Sequence, residues 1–410
     1  MSCERTPTFA SAAWFWLKLG CISFGGPAAH IGLLHREVVE RRRWIDERQF
    51  SHALGFCMLL PGPEAQQLVT YIGWKLHGAR GGAVAGTLFV LPSAILLWVL
   101  SIIYVTSGSS PLTASFFSGL QPVVVAVVAM AAFRMARRSL STVAARLTAA
   151  SAFILILLQL APFPTVLLAS CTVGVLFPNG FFEGADPDIG PPVRARSSAG
   201  AGLLSLALWL LPVALLAVFE RGIFARLAMF FSATSLLTFG GAYAILPLVA
   251  QHAVASGWMT PSEMLAGLGL AEATPGPLII VLQFYGFITA WHEPGGLPPL
   301  LAATLGGAIA TWVTFLPSFV WIFFGAPYIE IMRRNLRLAG GLAAISACVA
   351  GIVASLAVWL ASQVFLSAPF RPDWFAVALF LMALAFHRGG ILPIVLMGGF
   401  AGILRQLVAG

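Results

Sequence analysis

Two short motifs in this 410-residue chain cannot continue a helix: Pro61-Gly62-Pro63 and Pro275-Gly276-Pro277. Each proline lacks an N–H and pushes the residue before it away from helical backbone angles. A helix that restarts after Pro63 or Pro277 points its unpaired N–H groups, and the positive end of its dipole, into the gap. A gap of that kind suits an anion. Polar side chains gather beside it. Glu64, Gln67, Tyr71 and Lys75 are spaced 3, 4 and 4, so they share one helix face, with Gln66 next to them. Glu272 and Thr274 precede the second break, and Gln283 and Tyr285 follow it. A second pair of breaks, Phe24-Gly25-Gly26-Pro27 and Phe239-Gly240-Gly241, either exposes more backbone N–H or lets helices pack closely. Lys18 and His30 flank the first of these.

The roles stay open at this level. A charged acid at the centre of a bilayer costs about 2.5–3.5 kcal/mol, so Glu64 has to be neutral, paired or wet. It is either a proton-coupling carboxyl or a group that holds the start of the restarted helix. Lys18 is either a buried cation that attracts the anion or a snorkelling side chain near a helix end, and Lys75 reads as an interfacial anchor. His30 is either a satisfied polar contact or a proton shuttle. Glu64, Glu272, Lys18 and His30 are the candidates for coupling and charge.

The elements that position these residues follow from composition. Hydrophobic residues make up 59% of the chain and charged residues 9%, against about 25% charged in a soluble domain. Mean hydropathy is +0.92. So few charges cannot cover a water-facing surface, which excludes a soluble enzyme, a nucleic-acid binder and a disordered scaffold. A spanning helix needs about 20 apolar residues, and apolar windows recur from residue 8 to residue 409. The 23 Lys and Arg against 15 Asp and Glu leave a net charge of +8, which fits basic cytoplasmic loops and an anionic substrate. Five scattered cysteines without a C-x-x-C pair point to neither a disulfide framework nor a zinc site. The first apolar stretch, interrupted by Lys18, does not read as a cleavable signal.

The chain is duplicated. Trp44, Leu54-Gly55, Pro61-Gly62-Pro63 and Tyr71 recur 214 residues later as Trp258, Leu268-Gly269, Pro275-Gly276-Pro277 and Tyr285. Leu91-Pro92 recurs as Leu316-Pro317 after an insertion. Only side chains differ at the gaps, since Glu64 aligns with Leu278 and Gln67 with Val281. A polar linker rich in proline, glycine and acid occupies 179–199, between an N-terminal half at 1–178 and a C-terminal half at 200–410. Asp46 with Gln49, and Thr260 with Glu263, read as capping boxes that open a helix in each half. Arginines crowd the 35–50 loop and the loop after 133, while 251–262 has no Lys or Arg. That pattern inverts the second half relative to the first if 51–76 enters and returns on the cytoplasmic side. The expected fold is an all-α integral membrane protein of duplicated, inverted halves, with helices broken at Pro-Gly-Pro, as in secondary transporters.

From Lys18-Leu19-Gly20 and Ser23-Phe24-Gly25-Gly26-Pro27-Ala28-Ala29-His30-Ile31, through Glu40-Arg41-Arg42-Arg43-Trp44-Ile45-Asp46, to Leu60-Pro61-Gly62-Pro63-Glu64-Ala65-Gln66-Gln67, the sequence resembles the chromate ion transporter (CHR) family. Thr238-Phe239-Gly240-Gly241-Ala242-Tyr243 and Ala273-Thr274-Pro275-Gly276-Pro277 extend the resemblance to the second half. It implies a two-domain, multi-pass bacterial inner-membrane protein that exports chromate and confers resistance, with sulfate as the chemical look-alike and competitor. Transport of another oxyanion, such as sulfate or molybdate, is the alternative. The expected binding residues are Gly25, Gly26, Pro61, Gly62, Pro63, Gln66, Gln67, Tyr71, Gly240, Gly241, Thr274, Pro275, Gly276, Pro277 and Tyr285. No H-E-x-x-H, G-x-S-x-G or Walker A motif is present, so neither an enzyme nor an ATP-driven pump is expected, and no cofactor or metal. Membrane lipid is the expected surrounding. The oligomeric state is not legible; a homodimer is compatible with the sequence.

Overall fold

The computed structural model describes residues 7–107, 110–181, 198–220, 222–325, 336–366, 373–386 and 390–409. Every regular element among them is helical. Residues 182–197, the body of the expected linker, lie outside the described residues, as do Arg333 and Arg334. The helices are α1 (Phe9–Ile22), α2 (Gly26–His35), α3 (Glu47–Cys57), α4 (Glu64–Ser107), α5 (Pro111–Ser139), α6 (Val143–Leu157), α7 (Phe163–Leu176), α8 (Ala199–Phe219), α9 (Ile223–Leu236), α10 (Ala242–Ala255), α11 (Pro261–Ala273), α12 (Val281–His292), α13 (Pro299–Gly325), α14 (Leu336–Phe365), α15 (Trp374–Phe386) and α16 (Ile391–Ala409). Six of them are long and apolar enough to cross a membrane. The protein is a multi-pass membrane protein.

The chain forms two compact units, and neither follows the sequence halves. One holds 1–102, 191–242 and 270–330; the other holds 103–190, 243–269 and 331–410. The division at 179–199 is therefore one of sequence, while each spatial unit draws on both halves.

In the first unit, α4 is two helices. His77 (φ −135°, ψ 22°) and Gly78 (φ 66°, ψ −161°) break it in two. A Cβ on Gly73 would lie 2.6 Å from the Gly81 carbonyl and 2.5 Å from the Ala85 Cβ. On a straight helix Gly73 and Ala85 would be about 18 Å apart, so the arms run back to back. α12 and α13 repeat this hairpin, with Gly286 against the Gly306 carbonyl at 2.6 Å and the Ala310 Cβ at 2.7 Å. The insertion between the repeats falls at that second turn. Without a side chain, each glycine lets backbones meet, which is how helices associate where lipid removes the hydrophobic drive. α1 packs the same way on the returning arm of α4, through Gly20 against the Phe89 carbonyl. α8 and α9 pack on α13.

The Asp46 carboxylate accepts from the Gln49 N–H at 2.7 Å and so opens α3. Trp44 is buried in a ring cluster with Phe15 and Trp16, with the Arg42 guanidinium 4.4 Å from the Phe15 ring. Trp44 and Arg42 thus tie the arginine-rich loop to α1.

In the second unit α14 is central, contacting α5, α6 and α7. Gly174, Gly340 and Ala344 allow close approach of α7, and Gly351 that of α6. α5 meets α16 through Gly119, Gly398 and Gly402. The Thr260 N–H donates to Glu263 at 2.8 Å and the Glu263 N–H donates to the Thr260 hydroxyl at 3.2 Å, a reciprocal capping box at the start of α11. The four described cysteines are free thiols.

Candidate functional site

All the sequence-selected residues fall in the first unit. The backbone defines the site before any side chain does. Gly62 and Gly276 take φ of 123° and 108°, angles at which a Cβ is strained. The Gly62 N–H donates to the Thr238 carbonyl at 2.7 Å, and the Gly276 N–H donates to the Ser23 carbonyl at 2.6 Å. Ser23 and Thr238 hold matching places, each just before a Phe-Gly-Gly. Both hydroxyls turn back on the carbonyl four residues earlier, Leu19 at 2.6 Å and Thr234 at 2.8 Å. Each Pro-Gly-Pro is thus tied to the Phe-Gly-Gly of the other half. Such a reciprocal exchange is what a two-fold axis produces.

A second reciprocity lies behind it. The Cβ position of Gly62 is 3.2 Å from the Ser318 hydroxyl, and that of Gly276 is 2.6 Å from the Ser93 hydroxyl. Ser93 and Ser318 follow the matched Leu91-Pro92 and Leu316-Pro317. Ser93 donates to the Val90 carbonyl at 2.7 Å, whereas the Ser318 oxygen has no partner.

The two breaks converge on a small cavity of about 20 Å³ lined by His30, Pro63, Glu64, Ala65, Gly241, Ala242, Pro277, Leu278 and Ile279. Pro63, Glu64 and Ala65 match Pro277, Leu278 and Ile279 at the 214-residue offset, so matched residues of the two halves line the cavity together. α4 starts at Glu64, and the continuous helix Leu278–His292 starts on the opposite wall. The first turns of both helices therefore form part of its lining. The chemistry is one-sided. His30 and Glu64 come from the first half, and the matching residues of the second are Ile245 and Leu278.

Other expected residues support the wall. The fully buried Gln67 donates to the Pro61 carbonyl at 2.8 Å and so braces the first break from below. Gln66 donates to the Phe315 carbonyl at 3.3 Å. Thr274 donates to the Leu270 carbonyl at 2.7 Å, and Glu272 is buried in the last turn of α11. Tyr71 is buried between Phe56 and Trp74, and Tyr285 is buried beside Phe284. Gly25 and Gly26 take φ of 100° and 80°, and Gly240 and Gly241 take 78° and 96°, the same turn in both halves. Of these four, Gly241 lines the cavity. Lys18 is on the exposed face of α1, away from the buried Phe15, Trp16 and Leu19. The sequence reading missed Ser23, Thr238, Ser93 and Ser318; the signal was their place beside repeated motifs, since their own types differ or are common.

A larger groove of about 450 Å³ lies between the returning arm of α4 and α13, with Gln66 and Gln283 in its wall. Its donors are engaged: Gln283 donates to the Ala94 carbonyl at 2.8 Å, Thr311 to the Gln283 oxygen at 3.1 Å and Trp98 to Thr304 at 3.1 Å. A dianion would find little there to replace its hydration. No group of three or more His, Cys, Asp or Glu side chains suited to a metal occurs among the described residues.

The sequence profile of the family described as Chromate transporter matches residues 10–175 and 225–403. The chain belongs to the chromate transporter family. Among its relatives, the chromate transport protein of Pseudomonas aeruginosa is 31% identical over 95% of this chain and 90% of its own length. The probable chromate transport protein of Synechococcus elongatus is 27% identical over 95% and 94%. The chromate transport protein of Cupriavidus metallidurans is 26% identical over 89% and 85%. No solved structure matches the chain. The two matched regions are the duplicated halves, and between them stand the linker and α8. As a chromate transporter family member, the chain places its paired breaks inside both matched regions.

Proposed function

We propose that this protein is a secondary transporter that exports chromate, a tetrahedral dianion, from the bacterial cytoplasm across the inner membrane and so gives resistance. The observation that carries the reading is the convergence of both Pro-Gly-Pro breaks, each tied to the other half, on one buried cavity. Broken helices at the interface of inverted repeats hold the substrate in secondary transporters, with helix N-termini aimed at anionic groups. The family match and the names of the relatives add the substrate.

Energetics favour this direction. One charge crossing 100 mV is worth about 2.3 kcal/mol, so a dianion leaving a negative cytoplasm gains about 4.6 kcal/mol per 100 mV. Export needs no ATP. The cavity of about 20 Å³ holds roughly one water, so the breaks have to move apart to admit an oxyanion. That motion loosens the Gly62–Thr238 and Gly276–Ser23 bonds, each worth about 1 kcal/mol net, a barrier small enough to cross in each cycle.

Everted membrane vesicles test the proposal. With an inside-positive potential they should accumulate radiolabelled chromate, and excess sulfate should compete. Vesicles that show no potential-driven accumulation would refute export. Valine at Gly62 or Gly276 should abolish uptake while the protein remains in the membrane.

A further inference from the structure

We propose that each chain binds a single tetrahedral oxyanion, shared between its two halves at the pseudo-two-fold axis, and that His30 is the side chain that contacts it. This rests on the reading of the breaks as an oxyanion site.

Duplicated halves suggest two sites, one per break. The geometry points to one. Pro63 and Pro277, Glu64 and Leu278, and Ala65 and Ile279 line the same cavity from opposite sides. An anion there meets the first-turn N–H groups of α4 and of Leu278–His292 together. Two dianions could not share it, because their repulsion at such a distance is unscreened.

His30 supplies the independent sign of a ligand. It is 3% exposed and lines the cavity, yet neither ring nitrogen makes a well-formed hydrogen bond, although the Ser23 backbone is nearby. Its ring is set edge-on to Phe89 at 6.2 Å, so its direction is fixed by packing. Buried polar groups in native proteins have partners, and an oxyanion oxygen would supply this one. The second half carries Ile245 at the matching place, so the contact is made from one side only.

Titration calorimetry of chromate into the purified full-length protein tests this. Wild type should bind one chromate per chain. His30→Ile should bind at least tenfold more weakly, and His30→Asn, which keeps a donor, should recover part of the loss. In the wild-type protein the His30 ring nitrogens, followed by nitrogen NMR of histidine-labelled protein, should shift when chromate is added. Two chromates per chain would overturn the shared site. Wild-type affinity in His30→Ile, or His30 ring nitrogens that do not shift on chromate addition, would overturn the role of His30. If His30→Ile does not fold, the wild-type NMR shift decides. Folded wild-type protein that binds no chromate would overturn the proposed function along with this inference.

Discussion

At Gly62 and Gly276 the same motif sits in two different surroundings, and the difference can be measured. A Cβ at either position is strained by the positive φ, at a cost of roughly 1–2 kcal/mol. At Gly62 the closest atom is Gln67 Nε2 at 2.9 Å, the far end of a long side chain that can yield by giving up its bond to the Pro61 carbonyl. At Gly276 it is the Ser93 hydroxyl at 2.6 Å, with the Ser93 Cβ at 2.7 Å, which is fixed to α4. Gly276→Ala should therefore lower the melting temperature more than Gly62→Ala. Adding Ser93→Gly should restore part of the loss in the first and none in the second, a coupling that a double-mutant cycle reads directly. Equal losses with no coupling would show that the backbone angle alone matters. Much of this was legible from Pro-Gly-Pro alone, since proline chemistry breaks a helix anywhere. Ser93 and Ser318 were not, because a serine after a proline carries no signal of what packs against it from the other half.

Among the elements, the breaks, caps and hairpin turns followed from local rules. The break of α4 at His77 and Gly78, the starts of α3 and α11, and the separation of α1 from α2 at Phe24-Gly25-Gly26 are all set by neighbouring residues. The spatial units were not legible, because they depend on contacts between residues hundreds of positions apart. A pair only 32 positions apart also joins two helices of the second unit. Asp373 caps α15, accepting from the Phe375 and Ala376 N–H groups, and pairs with Arg405 of α16 at 2.8 Å. Burial pushes its carboxyl up, but the Arg405 hydrogen bond and charge, with the two N–H groups, outweigh this and hold it below the usual range. A depressed folded-state pKa contributes stability above the unfolded value, which is lost as pH falls through the folded value. Asp373→Asn keeps the cap, because asparagine caps as well as aspartate, but loses the charge pairing with Arg405, so it should lower the melting temperature at pH 7 by an amount set by at most about 1 kcal/mol. The gap to wild type should close as pH falls through the depressed folded-state value of the carboxyl. A gap that persists in acid would assign the effect to packing.

For the whole molecule, the question is which way each half faces. α8 lies outside both matched regions, is 21 residues long and has a face of exposed leucines, including Leu203, Leu204, Leu211 and Leu215. One added crossing between two halves reverses the second relative to the first. The arginines of 35–50 and their absence from 251–262 agree with that reversal. Single cysteines at Arg43 and Ser256, both exposed, test it in a cysteine-free background. A membrane-impermeant maleimide added to intact cells should label the cysteine at 256 and leave that at 43 unmodified. Labelling of both, or of neither, would refute inversion.

The exchanged hydrogen bonds also set a schedule for biosynthesis. The Gly62 N–H is satisfied by Thr238, a residue translated about 180 positions later. At roughly 5–20 residues per second, the first break waits on the order of 10–40 s for its partner. During that time its backbone amide stands in a membrane-inserted segment without the group that completes it. The second break has no such delay, since Ser23 is already made when Gly276 emerges. Synthesis of the first half alone should leave it open to proteolysis near Gly62, and supplying the second half from a separate message should close it.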